Sequence, residues 1–289
     1  GPIDVDVTRQ AILDPTTGTV SLPAAGSMAH RFLRDAARPP IDPASNLFEL
    51  RQTPPLFGLG LVDRIAEADI VANEDPDDVD MDGVSGRAHV LSDGRIGRLG
   101  WKANVPNSLE FARDALSNEM GVSLPPQAGL TFGNVTDTDE IADPEMSIED
   151  LTALTFFLTE LSQPPRQRTD AALEDQGEAI FATVGCDSCH RTMSLEDGTP
   201  VPLYSDLLLH DVYPDGAHGI VEGDASDREL RTAPLWGLSH TGPYMHDGRS
   251  STIEDAIARH FGEATDVVTA FTALSATDRA ALLAFLQSL

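Results

Sequence analysis

Apolar residues recur at helical spacing in the second half of this chain, and long polar runs rich in Gly, Pro and Asp separate those stretches. Ser147-Ile-Glu-Asp150 reads as a capping box, after which Leu151, Leu154, Thr155, Leu158 and Leu161 share one face. Gln163-Pro-Pro165 ends that helix and marks a linker. Residues 171–184 predict the next helix, with Leu173, Gly177, Ile180, Phe181 and Val184 on one side, and it runs directly into Cys186. Ser251–Phe261 predicts a further helix. The last one starts at the box Ser275-Ala-Thr-Asp278 and buries Leu282, Phe285, Leu286 and Leu289.

The first half is less regular. Residues 1–55 carry Pro39, Pro40, Pro43, Pro54 and Pro55, with a short helix expected around Met28–Ala36. A short helical stretch is expected near Asp63–Asp69, and a helix over 107–119 capped by Asn107 or Ser108. Residues 73–86 form a dense acidic turn, which cannot be a buried element. Residues 121–144 and 191–235 read as loop. No strand system and no internal repeat stand out. The expectation is a mainly α protein: an irregular segment 1–54, a unit over 55–165, and a C-terminal unit over 166–289.

Composition narrows the function. The 289 residues include 47 acidic against 19 basic side chains, a formal charge of −28. Such a field repels nucleic-acid backbones and anionic membrane surfaces and suits a basic redox partner. No apolar run approaches the ~20 residues of a membrane span. Gly1-Pro2 reads as a protease scar, so the lack of a leader carries no information about compartment.

The only two cysteines lie in Cys186-Asp-Ser-Cys189-His190, the attachment motif of c-type haem. Two thiols three residues apart can each add to one vinyl group of a porphyrin, and His190 then lies beneath the iron as proximal ligand. A thioredoxin-like pair would sit in an α/β pattern, and a zinc site would need two more ligands at finger spacing. Neither is present. Covalent haem attachment takes place outside the cytoplasm, so a periplasmic or secreted protein is expected. Met193, His210, His218, His240, Met245, His246 and His260 are candidates for the sixth ligand. His260 shares a stripe with Ile253, Ala256, Ile257 and Phe261, so it should face the core.

Arg231-Thr-Ala-Pro-Leu-Trp-Gly-Leu-Ser-His-Thr-Gly-Pro-Tyr-Met-His-Asp-Gly-Arg249 and Thr252-Ile-Glu-Asp-Ala256 resemble segments of the bacterial di-haem cytochrome c peroxidase superfamily. The closer likeness is to its di-haem oxidoreductase branch, also called thiol oxidoreductase. Phe57-Gly-Leu-Gly60, Asp80–Arg87, Gly97–Ala103 and Tyr204–Asp211 extend it over about residues 55–289. The resemblance implies cytochrome c-like haem domains. It also implies that His260 stands where the peroxidases carry a distal Met, giving bis-histidine iron that is closed to peroxide and lower in potential. It places Met245 and His246 beside the haem, Arg231 at its propionates and Trp101 between two haems as an electron relay. Glu119, followed by Met120, would be the acid–base group of the first, peroxidatic site. Thr241 and Pro243 resemble carbonyl ligands of an inter-haem calcium.

The family carries an earlier CxxCH on a first haem domain, and this chain has none. Residues 55–165 therefore read as the later part of that domain, and only one covalent haem is expected. The two functional expectations are a peroxidase-type oxidoreductase completed by an upstream haem domain, and a one-haem electron-transfer module with a redox protein partner. A haem-free thiol redox protein is the third.

Asp78-Val-Asp80-Met-Asp82-Gly-Val84 matches the first half of an EF-type loop, with carboxylates at positions 1, 3 and 5 and a carbonyl at 7. Its position 12 is His89 rather than Glu, so a calcium ion here would need Glu74, Asp75 or Asp77 instead.

Overall fold

The computed structural model describes residues 7–24, 26–29, 41–137 and 139–289. The N-terminal segment is a sheet rather than irregular chain. Strand β1 (Val7–Leu13) pairs antiparallel with β2 (Val20–Ser21), β3 (Met28–Ala29) and β4 (Leu47–Arg51). The β1–β4 register runs from Val7 opposite Arg51 to Ala11 opposite Leu47. Of the helix expected around Met28–Ala36, Met28 and Ala29 are strand, and 30–36 lie outside the described residues.

The sequence hid β4 because its alternation is inverted. Glu49 and Arg51 point inward, while Phe48 and Leu50 are 49% and 42% exposed. The buried charges answer one another. Arg51 pairs with Glu49 and lies 3.4 Å from Glu222, and the Ile220 N–H donates to Glu49 at 2.8 Å.

Two short helices follow, α1 (Leu59–Asp63) and α2 (Glu67–Val71), where one stretch was expected. The Arg98 guanidinium occupies the break, donating to the Val62 and Ile65 carbonyls. A hairpin of β5 (His89–Val90) and β6 (Ile96–Gly97) leads to α3 (Ser108–Asn118), whose Asn107 cap accepts from the Glu110 N–H. Helix α4 (Ile148–Glu160) starts at Ser147 and α5 (Ala171–Thr183) at Asp170, as cap chemistry dictates.

The long 191–235 stretch holds two small ladders, β7 (Met193–Ser194) with β8 (Pro200–Val201), and β9 (Leu209–Asp211) with β10 (Glu229–Arg231). Then come α6 (Ile253–Ala258), α7 (Thr265–Ala273) and α8 (Ala276–Ser288). Helix makes up 31% and strand 13% of the described residues, so the mainly α expectation holds only in part.

The first core joins Leu59, Val62 and Ile65 to Leu203, Leu207 and Trp236, and so crosses residue 165. The second packs Phe181, Phe271, Leu282 and Phe285. There α5 and α8 cross so closely that a Cβ on Gly177 would overlap the Ala281 carbonyl. Phe181 and Phe285 meet edge to face beside that crossing, 5.3 Å apart, and carry the end of α5 to the site.

Candidate functional site

Helix α5 is stopped by Gly185, whose φ of 90° lies in the left-handed region that favours glycine. The chain then tightens into a 3₁₀ turn, Cys186–Ser188, closed by the His190 N–H donating to the Cys186 carbonyl at 3.0 Å. Cys186, Cys189 and His190 thereby share one turn and line one cavity. Its walls are mostly apolar, from Phe181, Leu235, Ile253, Ile257 and Leu286. The cavity measures about 220 Å³ and opens to solvent, as a planar group with an exposed edge requires.

His260 lines the same cavity from beyond α6. The Thr252 hydroxyl fixes the start of that helix by accepting from the Asp255 N–H. The two imidazoles are prepared alike. His190 Nδ1 bonds the Tyr204 carbonyl at 2.8 Å, and His260 Nδ1 bonds the Ala256 carbonyl at 2.8 Å. A carbonyl can only accept, so each Nδ1 carries the proton and each Nε2 keeps its lone pair. No described residue bonds either Nε2. Burial holds both rings neutral, pushing His190 down to about 4 and His260 below its ordinary value. Neutral imidazoles with anchored Nδ1 and free Nε2 are what an iron ion takes as axial ligands.

The thiols do not look like a redox pair. Burial pushes Cys186 up to about 12 and raises Cys189 as well, whereas reactive thiols have depressed values.

Arg231 also lines the cavity and is 7% exposed. Its guanidinium donates to the Gly100 and Thr232 carbonyls at 2.8 and 3.0 Å. No carboxylate among the described residues lies within ion-pair distance, and burial pulls it down to about 10. A buried cation on the cavity wall with no carboxylate in ion-pair reach suits a carboxylate-bearing occupant.

Met245 lines the cavity too, with a φ of 71°, an uncommon conformation for a side-chain-bearing residue. His246 is buried against Trp101, their rings 6.3 Å apart and edge to face, and its Nε2 lies 3.2 Å from the Tyr213 hydroxyl. Of the other candidates for a sixth ligand, Met193, His218 and His240 lie away from this cavity. His210 lines it, but both its ring nitrogens are taken by carboxylates, Asp206 and Glu263, each at 2.9 Å.

Trp101 lines this cavity and a second one of about 280 Å³ between β4, α3 and α4. Its Nε1–H donates to the Gln52 carbonyl at 2.6 Å, which fixes the indole between the two. Glu119 and Met120 line the second cavity and are exposed to solvent. The two predicted relay and acid–base positions are thus brought to one space, outside the cavity of His190.

The acidic turn brings Asp78 and Asp80 of the expected loop together with Asp75, one of its expected substitutes. Asp75, Asp78 and Asp80 gather their oxygens within 4.8 Å of one another. Asp82 instead accepts from the Val84 N–H at 2.9 Å, and Val84 lines the cavity. The sequence marks none of Tyr204, Glu49, Tyr213, Asp206 and Glu263 as a site residue. Each acts through a backbone atom or a buried pair that spacing does not show.

Two thiols and an imidazole on one turn, with a second prepared imidazole in the same apolar cavity, are the donor set of a c-type haem protein. The family model described as "Di-haem oxidoreductase, putative peroxidase" matches residues 44–289, and the chain belongs to that family. A curated relative, cytochrome-c peroxidase IdrP2 of Pseudomonas sp. (strain SCT), is 30% identical over 144 residues, which are 39% of this chain and 38% of the relative. The match thus spans well under half of that relative's length. Among solved structures, Kuenenia stuttgartiensis hydrazine synthase is similar over 51% of this chain and 57% of its own, with 21% identity and a TM-score of 0.38. A MauG-like protein associated with microbial copper homeostasis is similar over 81% and 89%, with 19% identity and a TM-score of 0.43.

Proposed function

We propose that this chain holds one covalent haem with two histidine ligands and uses it for electron transfer within a peroxidase-type oxidoreductase. The observation that carries the reading is the shared cavity of Cys186, Cys189, His190 and His260, with both Nδ1 atoms tied to carbonyls and both Nε2 atoms free. Bound there, the haem supplies a one-electron ferric/ferrous couple. His190 and His260 together leave no open position for peroxide at this iron. Met245 and His246 pack beside the group, and Arg231 neutralises a propionate.

Trp101 carries electrons between this cavity and the second one. Glu119 there serves a reactive centre as acid–base group. An upstream haem domain supplies that centre, or a redox protein partner takes its place. The net charge of −28 favours a basic partner. Covalent attachment places the protein in the periplasm or outside the cell. At the acidic turn, Asp75, Asp78 and Asp80 are the oxygens that could gather a calcium ion.

Absorption spectra in both oxidation states, with intact mass, test the reading. One added haem and six-coordinate low-spin iron are expected, and His260→Ala should convert the ferric protein to high-spin. Colourless protein with both thiols free would end the haem reading. A spectrum untouched by His260→Ala would remove His260 from the iron.

A further inference from the structure

The His260 side chain is anchored only to the neighbouring end of α6, through the Ala256 carbonyl. From Arg259 to Ala264, Glu263 makes the only side-chain hydrogen bonds to distant parts of the chain among the described residues. One Glu263 oxygen accepts from the Ser85 N–H at 2.9 Å and meets His210 Nδ1 at 2.9 Å. The other accepts from the Asp211 N–H at 2.9 Å and the Ser85 hydroxyl at 3.1 Å.

His210 carries the connection onward. Its Nε2 meets Asp206 at 2.9 Å, and the Asp206 N–H donates to the Cys189 carbonyl at 2.9 Å. With a carboxylate on each ring nitrogen, His210 is an imidazolium donating both ways. Burial alone would lower its pKa, but hydrogen bonds to Asp206, Cys189 and Glu263 raise it well above the ordinary histidine value. The cluster is closely built. His210 is 3% exposed, and a Cβ on Gly86 would lie 2.5 Å from its ring. A continuous path of hydrogen bonds therefore joins the segment of His260 to the segment of Cys189.

We propose that Glu263, acting through His210, is a positioning residue that sets the His260 segment against the Cys189 segment and so keeps the second imidazole in place. The proposal rests on the bis-histidine reading. Tightening or loosening this clamp changes how well His260 Nε2 reaches its position, while the attachment turn, built on α5 and Gly185, stays as it is.

The test uses haem-loaded protein. Glu263→Ala should keep its covalent haem by mass, yet lose at least tenfold in the ratio of low-spin to high-spin ferric iron. Added imidazole should restore the low-spin spectrum. Ile70→Ala, a destabilising change in the first core, should leave the spin state alone. A haem-loaded Glu263→Ala protein with the spectrum and midpoint potential of the parent overturns the proposal. Should that variant fail to accumulate, His210→Gln breaks the same path, and a parent-like spectrum from it is equally fatal. Failure of the bis-histidine reading looks different, because the parent itself would then be high-spin or indifferent to His260→Ala.

Discussion

Replacing Arg231 by Met in the haem-loaded protein has a sign that the structure makes decisive. The guanidinium is 7% exposed, has no carboxylate in ion-pair reach among the described residues, and is pulled down to about 10 by burial. Without an anion, that charge costs the fold roughly 3 kcal/mol, at 1.36 kcal/mol per pKa unit. Met has similar bulk and no charge, so truncation would then be neutral or stabilising, offset in part by the Gly100 and Thr232 carbonyls losing their donor. With a propionate paired to Arg231, the same change strands a buried carboxylate and costs about 3–5 kcal/mol. Guanidinium unfolding followed at the Soret band and in the far ultraviolet measures the difference. Destabilisation of about 3 kcal/mol or more is expected, with Arg231→Lys falling between, because an ammonium keeps the charge but loses the fork. Equal or greater stability of Arg231→Met, at full haem content, would refute the placing of a propionate there.

Two more outcomes follow from packing and charge. His246 is held neutral, pushed down to about 4 chiefly by burial. The unfolded chain therefore binds its proton first as pH falls, and stability should drop between pH 6.5 and about 4, by at most about 3 kcal/mol. His246→Gln should flatten that part of the stability–pH curve, and a curve that keeps its slope refutes the assignment. Gly177→Ala should destabilise by roughly 1–3 kcal/mol in thermal melts, because the added Cβ overlaps the Ala281 carbonyl. Unchanged or improved melting would mean that α5 and α8 do not cross there as described.

The amino-acid sequence by itself determined the local chemistry. Cap residues Asn107, Ser147, Asp170, Thr252 and Ser275 start helices because their side chains satisfy N–H groups a few residues away, and such bonds depend only on neighbours in the chain. Cys186, Cys189 and His190 were legible for the same reason, since one turn contains the whole set.

Tertiary structure alone decided the rest. Strand β4 was invisible because its buried residues are Glu49 and Arg51, and their partners Ile220, Glu222 and His246 lie far along the chain. The core that joins Leu59 to Leu203 ignores the linker at Gln163–Pro165. His210 was an open ligand candidate until Asp206 and Glu263 were seen to occupy both its nitrogens. The setting of a buried charge or a free imidazole nitrogen depends on which distant groups the fold brings against it, and periodicity along one segment carries no record of that.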